Sequence, residues 1–379
     1  MAAEHISARP FGEYTVAVIF AMEFEMSAFR YMLDEDHDTN DLEKDPNDPN
    51  EYVLGRVGGH NVVLAWLPGE QGKGAAATVS THLSRTFKSI QWRLLVGIGG
   101  GVPSPRHDIR LGDVVISMPE RQYNGVGQYD LGRETDEGFQ RKGFLHGPPA
   151  YLRNVASNMR SLHRLNDNKI DTFVEELLAK GSRLRREYQR PPNASDVLFP
   201  DEVPHKSGPH SCGDCDMSKA IDREPRDANA LTEIHYGLIA SGDMVVASNS
   251  SRKEKINRLG ADVICFEMEA AGIMSGYECL VVRGISDYAD SHKTRSWRHY
   301  AAATAAACAK ELLLLVRTQV KPAEKKSEEQ KAEAKNPLSG NNGGGRGQSH
   351  EDGNGRYSVG KGIMAIGGTT TIRDMTFNN

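Results

Sequence analysis

The chain has 379 residues, a formal net charge of -5 and 38% hydrophobic residues, a share that a polar tail diluting an ordinary core would explain. The negative balance argues against bulk nucleic-acid affinity, and no apolar run approaches the roughly eighteen residues of a membrane span. Five cysteines, at 212, 215, 265, 279 and 308, are too few and odd in number for a disulfide framework. With no charged-then-apolar signal pattern at the start, a soluble cytoplasmic protein is expected.

In chain order, YTVAVIFAM (14–22) predicts a buried strand, continuous and β-branched and ending at acids. NVVLAWLP (61–68) predicts another, and GKGAAATVSTHLSRTF (72–87) has the length and composition of a helix. RLLVGIGGGVP (93–103) and LGDVVISMP (111–119) add strands, the first followed by a glycine run. Residues from about 133 to 232, rich in Arg, Pro, Asp and Gly, look like an insertion, with one amphipathic helix at IDTFVEELLAKGSRLRREY (170–188). The pattern resumes with HYGLIASGDMVV (235–246), ADVICFEMEAAGIMSGY (261–277) and ECLVVRGISDYAD (278–290), then a long Ala- and Leu-rich helix over 297–320. Strands alternating with helices imply an α/β layered fold with strands buried on both faces. Beyond it, 321–355 reads as a flexible linker. Residues 356–379 are β-prone with a possible turn at Gly367–Gly368, either a sticky terminus or a self-assembly motif.

Acids gather where apolar elements end. Asp287 falls at the end of a strand, where open α/β sheets place ligands, although an aspartate there can equally cap a helix. Glu23 and Glu25 follow the first strand; Glu267 and Glu269 flank Met268 in an otherwise apolar run. Arg283 is placed to pair with one of those glutamates, and Glu267 is open between that pairing and a purely structural role. The run Gly97, Ile98, Gly99, Gly100 would let backbone approach a ligand. It lacks the Lys-Ser/Thr ending of a P-loop. Carboxylates collected at strand ends suit a reaction needing an acid, a base and a hydroxyl acceptor.

Together, AMEFEM, HYGLIASGD, CFEMEAAGIM and RGISDYADSHK resemble, in order, the purine nucleoside phosphorylase/nucleosidase family over about 14–320. The likeness is to methylthioadenosine/S-adenosylhomocysteine nucleosidases and, more strongly, to the nucleoside-phosphorylase-like domains of fungal immune-receptor-type proteins. The resemblance implies that Asp287 protonates N7 of a purine and that Glu25 activates water. It implies that Glu269 binds the ribose hydroxyls with Met268 packing on the sugar, that Met244 and Val245 border the base, and that Arg283 braces the carboxylates. It implies a three-layer α-β-α sandwich around a mixed, mostly parallel twisted sheet, an N-glycosidase without cofactor, a homo-oligomer and an immune-type effector. The tail also loosely resembles short amyloid signalling motifs. Ile98 stands where the nucleosidases have a serine, which puts water placement through that contact in doubt. Acids after the first strand, where phosphorylases carry a phosphate loop, favour hydrolysis over phosphorolysis.

The stretch DSHKTRSWRHY (290–300) holds His292, Lys293, Arg295 and Arg298 beside Trp297. Trp297 suits an apolar 5′ pocket. The basic groups suit a 5′-phosphate and make ATP a candidate substrate, unless they form a solvated helix start. Lys73, Arg106 and Arg110 could add to that charge. His205, His210, Cys212 and Cys215 form a candidate zinc set, against a polar loop with free thiols; glycosidic chemistry itself calls for no metal. The alternatives to a purine nucleosidase are a phosphate-dependent phosphorylase and an inactive nucleoside-sensing scaffold.

Overall fold

The computed structural model describes residues 6–39, 44–206, 212–227 and 231–317. The linker and the β-prone tail expected from the sequence lie outside these residues. Two parts build the main sheet. The first runs through β1 (Ile6–Ser7), β2 (Val16–Phe20), β3 (Glu35–Asp38), β4 (Tyr52–Val57), β5 (His60–Trp66) and β6 (Trp92–Gly101), in the order β1-β3-β4-β5-β2-β6. Every residue of β2 has no solvent exposure. Each such Val, Ile or Phe contributes about 1.5–3 kcal/mol relative to leaving it in water. That burial on both faces is why the strand reads as a continuous apolar run rather than an alternating one.

The second part adds β7 (Val114–Ser117), β8 (Val126–Gln128), β11 (Ile234–Ser241), β12 (Val263–Glu267) and β13 (Leu280–Asp287), while β9 (Gly132–Thr135) and β10 (Gly138–Arg141) form a separate hairpin. The mixed, mostly parallel sheet is as expected, but its far end closes: β6 pairs with β13, β13 with β7, β7 with β11, β11 with β12, and β12 again with β6. Closure pairs β6, β7, β11, β12 and β13 on both sides, leaving the short β8, which pairs with β11 alone, as an edge. It also brings strand ends together. β12 meets β6 antiparallel through Phe266↔Gly100, while β13 meets β6 in parallel with Asp287 opposite Gly100. The C-terminal ends of three strands therefore converge on one glycine.

Among the helices, α1 (Glu23–Arg30) follows β2, α2 (Lys73–Thr86) precedes β6, and the inserted region supplies α3 (Ala150–Leu162), α4 (Ile170–Ala179) and α5 (Ser182–Tyr188). The single amphipathic helix expected over 170–188 is thus two, broken at Lys180–Gly181, where Gly181 supplies a fully extended N-cap. Helix α3, not expected from the sequence, buries Leu152, Val155 and Met159 in the core shared with α4. After α6 (Asn249–Leu259) and α7 (Ala270–Met274) comes α8 (Arg298–Leu315), which packs on β13, β6, α1 and the inserted helices. It is buried around almost its whole circumference, which its small alanines permit and which removes any amphipathic signature. Among the described residues no helix is long and apolar enough to cross a membrane.

Candidate active site

The glycine run is the tail of β6, not a loop after it, and its strand pairings run on through Gly97, Ile98, Gly99 and Gly100. Its function is to leave space. A Cβ on Gly97 would come within 2.6 Å of both Arg283 Nη1 and Glu25 Oε1, and one on Gly100 would stand 2.9 Å from Asp287 Oδ1. Only glycine lets three charged side chains close over this strand.

Glu25, in the first turn of α1, is 1% exposed. Its Oε2 accepts from the N–H groups of Ala21 (3.0 Å) and Met22 (2.9 Å), and Oε1 from the N–H of Ile98 (2.8 Å). Ile98 meets Glu25 through its backbone N–H alone. Burial pushes the Glu25 carboxyl up to about 7, against the pull of Arg283 and these donors. Glu23, two residues earlier, is exposed.

Arg283, on β13, is 1% exposed and reaches two glutamates rather than one. Its Nη2 donates to Glu267 Oε2 and, at 3.1 Å, to Glu269 Oε2. Glu267 also accepts from the N–H groups of Glu269 (3.0 Å) and Ala270 (2.9 Å), capping α7. Both roles left open for it are therefore filled. Glu269 accepts from the Gly72 N–H at 3.1 Å, and burial raises its proton affinity against Arg283. Glu267 Oε1 and Arg283 Nε remain buried without partners.

Asp287, 5% exposed, accepts from the Ser286 hydroxyl (2.9 Å) and the Ala289 N–H (2.9 Å), with Ala289 at φ +51°. A non-glycine residue there is uncommon, and the strain serves a tight turn around the carboxylate. Lys293 Nζ lies 3.1 Å from Asp287 Oδ2, a pairing that the separation of the two residues along the chain did not reveal.

One cleft is lined by Glu25, Ile98, Gly99, Gly100, Met244, Val245, Glu267, Met268, Glu269, Arg283, Asp287, Lys293 and Arg298. Met244 and Val245 are more than half exposed, an apolar rim beside the carboxylate floor. Gln71 and Ser286, also in the lining, carried no sequence signal, because isolated polar residues near turns are commonplace. Of the basic stretch, Lys293 and Arg298 face the cleft. Arg295 is exposed outside it, His292 lines a neighbouring cavity, and Trp297 is fully buried with Nε1 on Ser195 Oγ. Lys73 is held by Asp130 (2.6 Å), Arg106 by Asp262 (2.9 Å) and Arg110 by Asp108 (2.7 Å), so none adds charge to the cleft. Of the candidate zinc set, ligand atoms of His205, Cys212 and Cys215 lie within 4.8 Å of one another; His210 lies outside the described residues.

Residues 184–318 match the family model of the Phosphorylase superfamily. A Nucleotide-binding leucine-rich repeat (NLR)-like protein of Hyaloscypha variabilis is 42% identical over 309 residues, 81% of this chain. The chain spans 30% of the length of that relative. Among solved structures, the 5′-methylthioadenosine/S-adenosylhomocysteine nucleosidase of Neisseria meningitidis is 20% identical, with a TM-score of 0.51 over 80% of this chain and 99% of that one. The corresponding Helicobacter pylori enzyme is 17% identical, with a TM-score of 0.51 over 80% and 98%. At these identities the likeness is one of fold.

Proposed function

We propose that the cleft of this chain, whose residues 184–318 match the Phosphorylase superfamily model, hydrolyses the N-glycosidic bond of a purine nucleoside or nucleotide, with ATP a candidate. The observation that carries this reading is the carboxylate floor. Three buried acids, Glu25, Glu267 and Glu269, share one guanidinium. Such a floor leaves negative charge to stabilise a ribose that becomes cationic as its bond to the base breaks. Two of the named solved structures bear nucleosidase names, which agrees with this chemistry.

In this reading Asp287 delivers a proton to N7 of the leaving purine. Glu269 accepts hydrogen bonds from the ribose hydroxyls, with Met268 as an apolar wall. Glu25, with a proton affinity near neutrality, accepts the proton of the attacking water. Met244 and Val245 border the base. Lys293 and Arg298 give the cleft a cationic side suited to a 5′-phosphate. A phosphorylated substrate would draw Lys293 from Asp287 and free that carboxyl to face the base. The same acids would repel inorganic phosphate, which favours water as the nucleophile.

The test is direct. Incubate the protein with ATP, AMP, adenosine and methylthioadenosine, with and without phosphate, and separate products by chromatography. Free base and free sugar without phosphate are expected. Strict phosphate dependence with ribose-1-phosphate would make it a phosphorylase, and no base from any substrate would leave a non-catalytic module.

A further inference from the structure

The Cys/His segment singled out by the sequence takes no part in the glycosidic chemistry, yet it lies beside the loop that carries Lys293. Cys212 and Cys215 form a tight turn, the Cys215 N–H donating to the Cys212 carbonyl at 3.1 Å, and both are free thiols. The His205 ring brings a nitrogen within 4.8 Å of both sulfurs. Against this group stands His292, 6% exposed, with neither ring nitrogen hydrogen-bonded. Its ring stacks on Phe199 at 4.2 Å and meets the His205 ring edge-on at 5.3 Å, and its carbonyl accepts from Cys212 Sγ at 3.5 Å. A buried imidazole with two unpaired nitrogens is costly and calls for an explanation.

We propose that Cys212, Cys215 and His205 bind a zinc ion and that His292 supplies the fourth ligand. Two thiolates and two neutral imidazoles neutralise Zn²⁺ and match its preference for a closed tetrahedral site. Ligand atoms around tetrahedral zinc stand about 3.3–3.8 Å apart, given bond lengths of about 2.0–2.3 Å, so the cluster needs to contract by about 1 Å. The His292 ring lies outside that group of three, 5.3 Å from the His205 ring between centroids, and its backbone carbonyl touches Cys212 Sγ, so its side chain must turn from Phe199 to join them. The ion would clasp the inserted segment to the turn from Asp290 to Lys293, one residue from the lysine paired with Asp287. It is structural, outside the reacting centre, and its existence does not depend on the nucleosidase reading.

The experiment uses the full chain, expressed with zinc supplementation and purified without chelator. Elemental analysis is expected to give about one zinc per chain, and cobalt substitution an intense visible spectrum of tetrahedral type with a sulfur-to-cobalt charge-transfer band. Cys212→Ser with Cys215→Ser should abolish both. Competition with a chromophoric chelator should show zinc affinity falling by at least about tenfold in His292→Ala and holding in His210→Ala, with circular dichroism confirming the fold. A protein that arrives without zinc and takes up neither metal when reduced overturns the site, as does a thiol count two short of the five cysteines in chain denatured with chelator and without reductant, which marks a disulfide. Loss in His210→Ala with retention in His292→Ala overturns the assignment of the fourth ligand.

Discussion

Two clusters of buried acid in this fold use the same ingredients to opposite effect. Asp113, fully buried at the start of β7, accepts from the N–H groups of Arg110 (2.8 Å) and Glu233 (3.1 Å), from His235 (2.9 Å) and from both terminal nitrogens of Arg226. Burial alone would push its proton affinity up, but His235 and Arg226 more than offset that and hold it below the usual carboxylate range. Around Arg283, three carboxylates compete for one guanidinium, two of them have raised proton affinities, and Glu267 Oε1 and Arg283 Nε have no partner. Both oxygens of Asp113 are paired, and Asp113 itself lines none of the cavities, although Arg226 Nε has no hydrogen-bond partner and Arg226 borders a separate cavity, so the acid is neutralised as a structural part. The Arg283 cluster is under-neutralised and opens to a cleft. Unspent charge next to a cavity, rather than a buried acid as such, marks the site.

The sharpest break of that contrast is Asp287→Asn. If Asp287 is the proton donor, base release should fall by about 10²–10⁴-fold, the range of general acid catalysis. The melting temperature should stay close to wild type, since the amide oxygen can still accept from the Ala289 N–H and the Ser286 hydroxyl can turn to accept from the new amide nitrogen. Asp113→Asn should do the reverse. Leaving Arg226 and His235 with a neutral partner is expected to cost about 3–5 kcal/mol of stability, read by denaturant unfolding, with turnover per folded molecule unchanged. Lost turnover at full stability in Asp113→Asn would erase the distinction between the clusters.

Much of this contrast was legible in the sequence, for a physical reason. An acid inside an apolar run is anomalous by itself, so Glu25, Glu269 and Asp287 stood out and all line the one cleft. The strands β2, β6, β12 and β13 were visible because burial on both faces leaves an unbroken apolar string. What stayed hidden depends on contacts between distant residues. Closure of the sheet is set by which strand edges meet, and no local pattern records it. The glycines of β6 look like a turn until the side chains crossing them are known. Helix α3 was masked by polar residues on its outer face, and the pairing of Lys293 with Asp287 by a fold back along the chain.

Glu25 offers a smaller test through pH. Its folded-state value of about 7 lies above its ordinary 4.5, so the folded chain binds the proton more tightly than the unfolded one. The stability this contributes is fully present below about pH 4.5 and is lost as pH rises through about 7. A water-activating base must be ionised, so kcat/KM should climb through an apparent pKa near 7 while this part of the stability declines. Glu25→Gln should lower kcat by about 10²-fold and remove the ascending limb. A limb that persists in that variant would assign it to another group.

The smallest expected effect addresses what the cleft selects. Lys293 and Arg298 are its two cations besides the committed Arg283, and Lys293 is paired with the acid in the absence of substrate. If a 5′-phosphate draws Lys293 away, Lys293→Met removes both an attraction for nucleotides and a restraint on Asp287. Nucleotide turnover should fall and neutral nucleoside turnover should rise, changing their kcat/KM ratio by about tenfold or more, the worth of one charged hydrogen bond. Arg298→Met, lacking any contact with Asp287, should lower only the nucleotide side and shift the ratio by about tenfold or less. Equal losses on nucleoside and nucleotide in both variants would mean that these cations hold the rim of the cleft together and read no phosphate.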